Sequence, residues 1–341
     1  MTNWLSGHDS LGKVRSMTRI ATADGYIATL AIDHPENYLA MLDPDWRTVT
    51  SAQATRSKLE LIGALVPHAS AFLVDPLWSM AQGIAAGVIP GGTGIITGIE
   101  SLSYQADGGF GTQTAIRDGW SVRKIKTLGV DGVKMVVWWR PDAPSADDDR
   151  RLVEGLVRDC ERYQIPLILE PLWYPAPGQD PAAPAARAER VEIIVGAAKE
   201  FVDLGIDVLK SEFPGDLVDV TGDSAGAEAA AQAARAIDAA CGDQPWVMLS
   251  GSCSYEVFRR QLRIVSQAGA CGFMAGRAIW TGAVGGTQEH RRESAVRCQA
   301  RLDECLAIVR AHGSPWRQLP AVDDVAQGLI AGWHEDYLAG Q

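Results

Sequence analysis

The stretch GIDVLKSEFP, residues 205–214, combines an apolar run, a lysine at its end and a proline just beyond it. Such a run predicts a buried β-strand. Removing an ammonium group from water disfavours its charged form, and a neutral amine is what attacks a carbonyl to form a Schiff base. The sequence therefore makes Lys210 a candidate nucleophile. The alternative is that Lys210 leaves the strand end and extends its ammonium group to water.

Short β-type runs like this one alternate with amphipathic segments along the chain. The predicted strands are Ile27–Asp33, Ala71–Asp75, Gly94–Glu100, Gly132–Trp139, Pro166–Leu172, Asp207–Glu212, Trp246–Gly251 and Gly272–Arg277. The predicted helices include Ala52–Leu65, Arg117–Leu128, Asp147–Tyr163, Ala185–Leu204, Ala225–Ala240 and Tyr255–Ala268, where apolar residues recur three and four apart.

Strand–helix alternation indicates parallel strand pairing. Eight strands in roughly 250 residues are typical of a (β/α)8 TIM barrel, and a doubly wound sheet, which usually has fewer strands, is the alternative. We predict one domain over residues 1–341, with the barrel at about 27–285 and C-terminal helices at about 289–338, near Glu289–Ala311 and Val322–Leu338. Residues 1–26 are expected to cap the barrel floor, and the proline-rich segment 175–184 to form a loop at its top.

Composition limits the classes of partner. The net charge of −11 argues against a nucleic-acid partner. No apolar run approaches the roughly 20 residues that span a bilayer, and the N-terminus lacks the pattern of a secretory leader. Six scattered cysteines without a CxxC pair predict reduced thiols. We therefore expect a soluble cytoplasmic protein. Barrels often assemble as homo-oligomers, but no exposed apolar stripe indicates an interface.

Polar residues stand at the predicted strand ends, which converge on one face in a barrel. Strands one, four, five and six supply Asp33-His34, Lys134, Glu170 and Lys210. Strands seven and eight supply Ser250-Gly251-Ser252 and Gly276-Arg277, where barrels often bind phosphate. A second ammonium group, that of Lys134, would disfavour charge on Lys210, and Glu170 could transfer a proton. This pattern indicates covalent carbonyl chemistry on a phosphorylated small molecule.

Other strand-end residues have simpler explanations. Asp75 before Pro76 fits a helix cap better than catalysis, and Glu100 fits a solvated loop. Trp138 and Trp139 are expected to pack in the core and at the rim rather than to form a stacking platform. The six histidines show no paired ligand spacing, so neither a metal nor a cofactor is expected.

Several of these blocks resemble the class I tagatose-1,6-bisphosphate aldolase family, including its sulfofructose-1-phosphate aldolase branch. The similar blocks are Leu30–Asp33, Val74–Pro76, Val133–Trp138, Leu169–Pro171, Val208–Pro214, Leu249–Gly251 and Ala275–Trp280, in that order along the chain, with Ser314–Trp316 near its end. The resemblance implies a barrel aldolase that cleaves a ketose phosphate to dihydroxyacetone phosphate and an aldehyde, through a lysine Schiff base and without a metal.

The resemblance also implies roles for individual residues. Lys210 matches the Schiff-base lysine and Glu170 the proton-transferring carboxylate. Lys134 and Asp33 match polar residues of the pocket, which makes Lys134 a further catalytic candidate. The residues that match the phosphate-binding turns are Ser250, Gly251, Gly276 and Arg277, and we add His34 and Ser252 as substrate-binding candidates beside them.

The chain also departs from the family pattern. Asp33 is followed by His34-Pro35 where the family typically has Gln-Arg, so one end of the substrate is expected to differ in charge. Ser252-Cys253 replaces a usual Gly-Val. The run Trp138-Trp139-Arg140 and the pair Glu170-Pro171 resemble the sulfosugar branch more closely, whereas segment 175–184 matches neither branch.

Two other functions stay open at this point. One is different Schiff-base chemistry, such as transaldol or decarboxylation reactions on another carbonyl compound. The other is a non-catalytic sugar-phosphate sensor that keeps the pocket. In each case the expected partner is a small phosphorylated or sulfonated sugar.

Overall fold

The computed structural model of the protein describes residues 10–33, 36–101, 114–215, 225–317, 321–328 and 332–338. Eight strands, all paired in parallel, close into a barrel in the order β1 to β8. The strands are β1 (Ile27–Ala31), β2 (Ala71–Val74), β3 (Gly94–Gly98), β4 (Gly132–Trp139), β5 (Leu167–Trp173), β6 (Val208–Ser211), β7 (Trp246–Leu249) and β8 (Gly272–Ala275). The predicted (β/α)8 barrel is confirmed, and the doubly wound alternative is wrong.

Helices surround the barrel and extend beyond it. They are α1 (Leu11–Ile20), α2 (Glu36–Leu42), α3 (Ser51–Leu65), α4 (Met80–Ala85), α5 (Val122–Thr127), α6 (Ala146–Arg162), α7 (Pro184–Asp203), α8 (Ala225–Cys241), α9 (Tyr255–Ala268), α10 (Arg277–Trp280), α11 (Gln288–His312), α12 (Val322–Gly328) and α13 (Trp333–Asp336). Within the described ranges, no helix has the length and apolar composition needed to cross a membrane. All six cysteines are free thiols, as predicted.

The predicted strands are present, but several end earlier than expected. β1 and β3 each end two residues before an acidic residue, Asp33 and Glu100 respectively. β8 ends at Ala275, and Arg277 begins the short helix α10. The chain leaves the sheet there to reach the next helix, so these polar residues lie in loops just above the strands rather than in the strands themselves.

Two helix predictions are wrong in extent. The helix expected over Arg117–Leu128 begins at Val122, because the Ser121 side chain accepts a hydrogen bond from the Lys124 amide and caps the helix there. Arg117 therefore belongs to the β3–α5 loop. The helix expected over Val322–Leu338 is two short helices, and Gly332 before α13 has φ 96°, which a right-handed helix cannot contain.

Helix α1 covers the end of the barrel where the strands begin. Met17 and Ile20 of α1 pack against the lower barrel interior, which is formed by side chains that include Leu73, Ile96, Ile168, Val208, Val247 and Met274. The approach is close enough that a Cβ at Gly94 would lie 2.4 Å from the Arg19 carbonyl oxygen. The lower barrel is thus a packed apolar plug, and the polar groups described below stand above it.

Candidate active site

Two lysines and a shared carboxylate lie at the carboxyl end of the barrel. The Lys210 ammonium group is 2.9 Å from Glu170 Oε2, and the Lys134 ammonium group is also 2.9 Å from that oxygen. Lys134 is further bound to Glu100 Oε1 at 2.7 Å and to Asp33 Oδ2 at 3.2 Å. Both lysines and Glu170 are buried. The site centre is therefore a continuous row of alternating charges.

Strand register explains why these side chains meet. Ile168 of β5 is paired with Lys134 of β4 on one side and with Val208 of β6 on the other. Two residues further along their strands, Glu170 and Lys210 project from the same face as these partners. Because all strands are parallel and close into a barrel, the three charged groups converge above the apolar plug.

The electrostatics fix the charge of Lys134 and Glu170. Burial disfavours an ammonium at Lys134, but the carboxylates of Glu100, Glu170 and Asp33 outweigh it and hold the pKa of Lys134 well above its ordinary value. Burial likewise disfavours a carboxylate at Glu170, but the two lysines outweigh it and lower the pKa of Glu170. At neutral pH Lys134 is a cation and Glu170 is an anion that can accept a proton.

Glu100 was expected to fit a solvated loop, and that expectation is wrong. Its side chain is 6% exposed and bonds the Lys134 ammonium group. Gly98, two residues earlier, makes room for it, since a Cβ at Gly98 would lie 3.0 Å from Glu100 Oε1. The glycine at the end of an apolar run was the sequence feature that could have indicated an inward-facing carboxylate.

The prediction that Asp75 caps the next helix is wrong, because α4 begins at Met80 after the N-cap residue Ser79. Asp75 instead caps the turn after β2, and it has a further role. Its Oδ1 accepts hydrogen bonds from the Leu77 and Trp78 amides. Its Oδ2 lies 2.6 Å from the ammonium group of Lys58, which is fully buried and also donates to the Ile32 carbonyl. Sequence reasoning missed this pair, which supports the backbone beside Asp33.

The missed residue Lys58 had a recognisable sequence pattern. It occupies the buried stripe of α3, together with Ala54, Leu61, Ile62 and Leu65. A lysine at an apolar position of an amphipathic helix needs a buried partner. Burial lowers the pKa of Lys58, while Asp75 opposes that effect.

The loops after β7 and β8 join beside the lysine row. The Gly276 amide donates to Ser250 Oγ at 3.2 Å, which ties the two loops together. Gly251 and Ser252 follow with φ 53° and 64°, so the backbone turns sharply towards the cleft. All four residues line the cleft with Arg277. The structure thus brings together every predicted site residue except His34, which lies outside the described residues.

A cleft of about 1040 Å³ opens above the row of charges. Strands β4 and β5 have eight and seven residues, more than the four or five of the other strands, and their ends form a raised wall. Trp138 lines the cleft at this wall, so it is not simply a packing residue. Trp139 is buried and packs edge-on against Phe201, as predicted. The indoles of Trp46, Trp78 and Trp173 also line the cleft.

The fold is that of a (β/α)8 barrel, and its cleft has buried lysines and carboxylates at the floor. A sequence profile described as DeoC/LacD family aldolase matches residues 30–282. The chain belongs to that family and is an aldolase, a carbon–carbon lyase. The resemblance to class I tagatose-bisphosphate aldolases seen in the sequence is confirmed.

Curated relatives match most of the chain. Tagatose 1,6-diphosphate aldolase 2 of Streptococcus mutans is 28% identical over 327 residues, which cover 91% of this chain and 98% of that protein. Tagatose 1,6-diphosphate aldolase of Listeria monocytogenes is 29% identical over 280 residues, covering 79% and 81%.

Solved structures share the fold. An archaeal fructose 1,6-bisphosphate aldolase superposes with TM-score 0.60 at 19% identity and covers 86% of this chain and 99% of its own. The fructose-bisphosphate aldolase from Plasmodium falciparum superposes with TM-score 0.64 at 14% identity, covering 89% and 95%.

Proposed function

We propose that this aldolase cleaves a ketose phosphate into dihydroxyacetone phosphate and an aldehyde through a Schiff base on Lys210. The observation that carries the proposal is the hydrogen bond between the buried Lys210 amine and Glu170, at the floor of a cleft whose opposite side is lined by Arg277. A nucleophilic amine, a proton acceptor and an anion-binding end are the groups that this reaction requires.

Lys210 is the better nucleophile of the two lysines. Lys134 contacts three carboxylates, and their charges stabilise its ammonium form, which has no lone pair to attack a carbonyl. The contact of Lys210 with Glu170 offers a route for its proton, because a carboxylate with a lowered pKa is ionised when the substrate arrives. Lys134 instead serves as a fixed cation that orients Glu170 and substrate hydroxyls.

Cleavage proceeds through covalent intermediates on Lys210. The Lys210 amine adds to the ketose carbonyl, and Glu170 passes the proton that it took from Lys210 to the departing hydroxyl. Loss of water gives an iminium ion and leaves Glu170 ionised again. The bond between the third and fourth carbons breaks, its electrons pass to the iminium to form an enamine, and Glu170 takes the proton of the hydroxyl on the fourth carbon. The aldehyde leaves. Protonation of the enamine at the third carbon and hydrolysis of the imine release dihydroxyacetone phosphate.

The phosphate of the substrate is assigned to the joined loops after β7 and β8. Ser250, Gly251, Ser252, Gly276 and Arg277 supply hydroxyl, backbone and guanidinium donors along this side of the cleft. An arginine can bind a phosphate through two parallel hydrogen bonds. Asp33 and, by its sequence position, His34 are assigned to the substrate on the other side of the lysine row.

The substrate is proposed to resemble tagatose 1,6-bisphosphate or sulfofructose 1-phosphate. The curated relatives named tagatose 1,6-diphosphate aldolase support the first. The run Trp138-Trp139-Arg140 and the pair Glu170-Pro171, which resemble the sulfosugar branch, support the second. In both cases the half that stays on the enzyme is dihydroxyacetone phosphate.

Borohydride trapping tests the proposal. The protein is incubated with dihydroxyacetone phosphate, reduced, digested and mapped by mass spectrometry. We expect one reduced adduct on Lys210. An adduct on Lys134 would mean that the lysines are assigned wrongly, and no adduct at saturating ligand would overturn the Schiff-base proposal and favour a sugar-phosphate sensor.

A matched pair of variants separates chemistry from folding. Lys210→Met is expected to abolish cleavage while retaining part of the ligand affinity, because the phosphate loops are intact. Lys199→Met, which changes an exposed lysine on α7, is expected to cleave at the rate of the unmodified chain. Undiminished cleavage by Lys210→Met would refute the assignment.

A further inference from the structure

The charges that line the cleft are separated into a negative centre and two positive ends. At the centre, three carboxylates, those of Asp33, Glu100 and Glu170, lie around the side-chain nitrogens of Lys134 and Lys210. An anionic group of a ligand is therefore disfavoured at the centre and favoured at the ends.

The two ends lie on opposite sides of the barrel mouth. Arg277 follows β8, whereas Arg117 lies in the β3–α5 loop. Arg47, which also lines the cleft, lies between β1 and α3, and β1 is the neighbour of β8. In an eight-stranded barrel the loops after β3 and β4 face those after β7 and β8. A ligand that extends across the mouth would meet an arginine at each end.

Arg117 is held in place by its backbone. Its amide donates to the Ile99 carbonyl at 2.9 Å, and its own carbonyl accepts from the Trp120 amide at 3.0 Å. The preceding residue, Ile116, forms a bridge with Glu100. The loop that carries Arg117 is thus fixed to the same segment that supplies a carboxylate to the site centre.

The guanidinium group of Arg117 has no carboxylate partner among the described residues, unlike those of three other arginines. Arg140, Arg150 and Arg190 each bind a carboxylate. The Arg117 Nε is buried and meets no acceptor in the part of the chain that the structure describes. A buried donor without an acceptor is costly, so an acceptor from a ligand would be stabilising.

A second donor in the same half of the cleft lacks an acceptor. Trp173 Nε1, at the end of β5, is buried without a partner among the described residues. Its side chain lines the cleft, as do Arg117 and, on the strand between them, Trp138. Among the described residues Arg117 has no carboxylate partner, and Glu212, the carboxylate beside Trp173, is paired with Arg190. Donors without acceptors on this side of the cleft suit an oxyanion.

From this arrangement we infer that Arg117 determines the specificity of the aldehyde half by binding a terminal oxyanion, phosphate or sulfonate, at the end of the cleft opposite Arg277. Trp173 Nε1 supplies a further donor to that oxyanion after a small side-chain movement, and Trp138 borders the carbon chain between the two ends. The inference rests on the proposed function for the identity of the aldehyde half, but the anion site itself can be tested without turnover.

Equilibrium binding of inert probes tests the site directly. Hexyl phosphate carries one anion, whereas hexane-1,6-diol bisphosphate and its analogue with a terminal sulfonate carry two. By calorimetry at constant ionic strength, we expect each double anion that fits to bind the unmodified chain about 10- to 100-fold more tightly than hexyl phosphate. The double anion with the larger gain in affinity over hexyl phosphate shows whether the site prefers a phosphate or a sulfonate.

Matched variants locate the effect. Arg117→Gln is expected to abolish the advantage of the double anion while changing hexyl phosphate affinity less than about twofold. Arg117→Lys should keep part of the advantage, because it retains the charge but not the planar fork. Arg123→Gln, which removes an exposed arginine of α5 outside the cleft, should keep all of it. Activity adds a second readout: Arg117→Gln should lower kcat/KM for condensation of dihydroxyacetone phosphate with glyceraldehyde 3-phosphate much more than with glyceraldehyde.

Three results would overturn the inference. In the first, the double anion still binds more tightly than hexyl phosphate to Arg117→Gln. In the second, Arg117→Gln loses the same affinity for both kinds of probe. In the third, the tighter binding of the double anion is lost in Arg47→Gln instead of Arg117→Gln. The proposed function fails separately, through the borohydride experiment. If Lys210 is trapped but the tighter binding of the double anion does not depend on Arg117, only the anion site is refuted. If the tighter binding depends on Arg117 but no Lys210 adduct forms, only the Schiff-base proposal is refuted.

Discussion

Replacing Lys134 by methionine tests the electrostatic account of the site centre. Methionine keeps most of the length and apolar volume of the side chain but removes its charge. Lys134 is 3% exposed and lies between Glu100, Asp33 and Glu170, at 2.7, 3.2 and 2.9 Å. The variant leaves these three carboxylates with Lys210 as the remaining ammonium group of the row.

The magnitude follows from the geometry. At about 3 Å and an effective dielectric constant of about 20, each of the three attractions is roughly 5 kcal/mol, and burying each ion costs several kcal/mol in return. Removing one partner from such a buried group costs about 3–5 kcal/mol of unfolding free energy. We therefore expect a loss in that range at pH 8.

The loss of unfolding free energy should depend on pH. In the unmodified chain the pKa of Glu170 is lowered by the lysines, so its contribution to stability is present above its ordinary pKa and is lost as the pH falls through the folded-state value. Without Lys134 the pKa of Glu170 rises, and protonation at pH 5 relieves the repulsion. The difference between variant and unmodified chain should therefore be smaller at pH 5 than at pH 8.

Urea unfolding monitored by tryptophan fluorescence at pH 8 and pH 5 measures both quantities. Lys199→Met, an exposed lysine on α7, serves as the control and should change stability by less than about 0.5 kcal/mol. A loss below about 1 kcal/mol at pH 8, or the same loss at both pH values, would refute the reasoning.

Three further perturbations test other parts of the structure. Asp149 is buried in the first turn of α6, and burial raises its pKa to about 6, so its ionisation destabilises the fold as the pH rises from about 4 to 6. In urea titrations, the unfolding free energy of Asp149→Asn should gain about 1–3 kcal/mol relative to the unmodified chain between pH 4 and pH 7.5. A difference that stays constant over this range would contradict the prediction. Gly272→Ala should lower the unfolding free energy by more than about 3 kcal/mol, because the added Cβ would lie 1.9 Å from the Ile27 carbonyl oxygen; a melting temperature unchanged in calorimetry would be the opposite result. Lys58→Met should lower the unfolding free energy by about 3–5 kcal/mol in the same urea assay, because it leaves the buried Asp75 carboxylate without its partner. Adding Asp75→Asn should restore part of that free energy, and no recovery in the double variant would show that loss of the ion pair is not the cause.

The pattern of apolar runs predicted the barrel because that pattern is local. Strands buried on both faces read as continuous apolar segments, and helices packed on them show a three- and four-residue repeat. The bounds of β4 and α9 match the prediction. The ends of the strands were less predictable. Hydrogen bonding between two strands stops where one of them turns away from the other, and the sequence of neither strand alone specifies that point.

Arg117 shows what periodicity cannot detect. Its segment has helical spacing, yet the Ser121 cap delays the helix by five residues, and the arginine faces the cleft instead of solvent. Periodicity does not specify the surroundings of Trp138 for a related reason. Whether an indole packs inside or lines a cavity depends on what stands opposite it, and in this chain that is the opposite rim of the barrel.

The sequence by itself determined the class of fold and the family, and it indicated Lys134, Lys210, Glu170 and Asp33 as site residues, because these depend on residue type and order along single segments. Only the tertiary structure decided their charges and partners. Glu100 forms an ion pair with Lys134, and Lys58 forms one with Asp75. The surrounding carboxylates hold the pKa of Lys134 well above its ordinary value. These contacts exist because closure of the barrel brings side chains from separate segments within about 3 Å of one another. At that distance and in the absence of water, electrostatic energy depends on the positions of all the charges together, and no single segment specifies them.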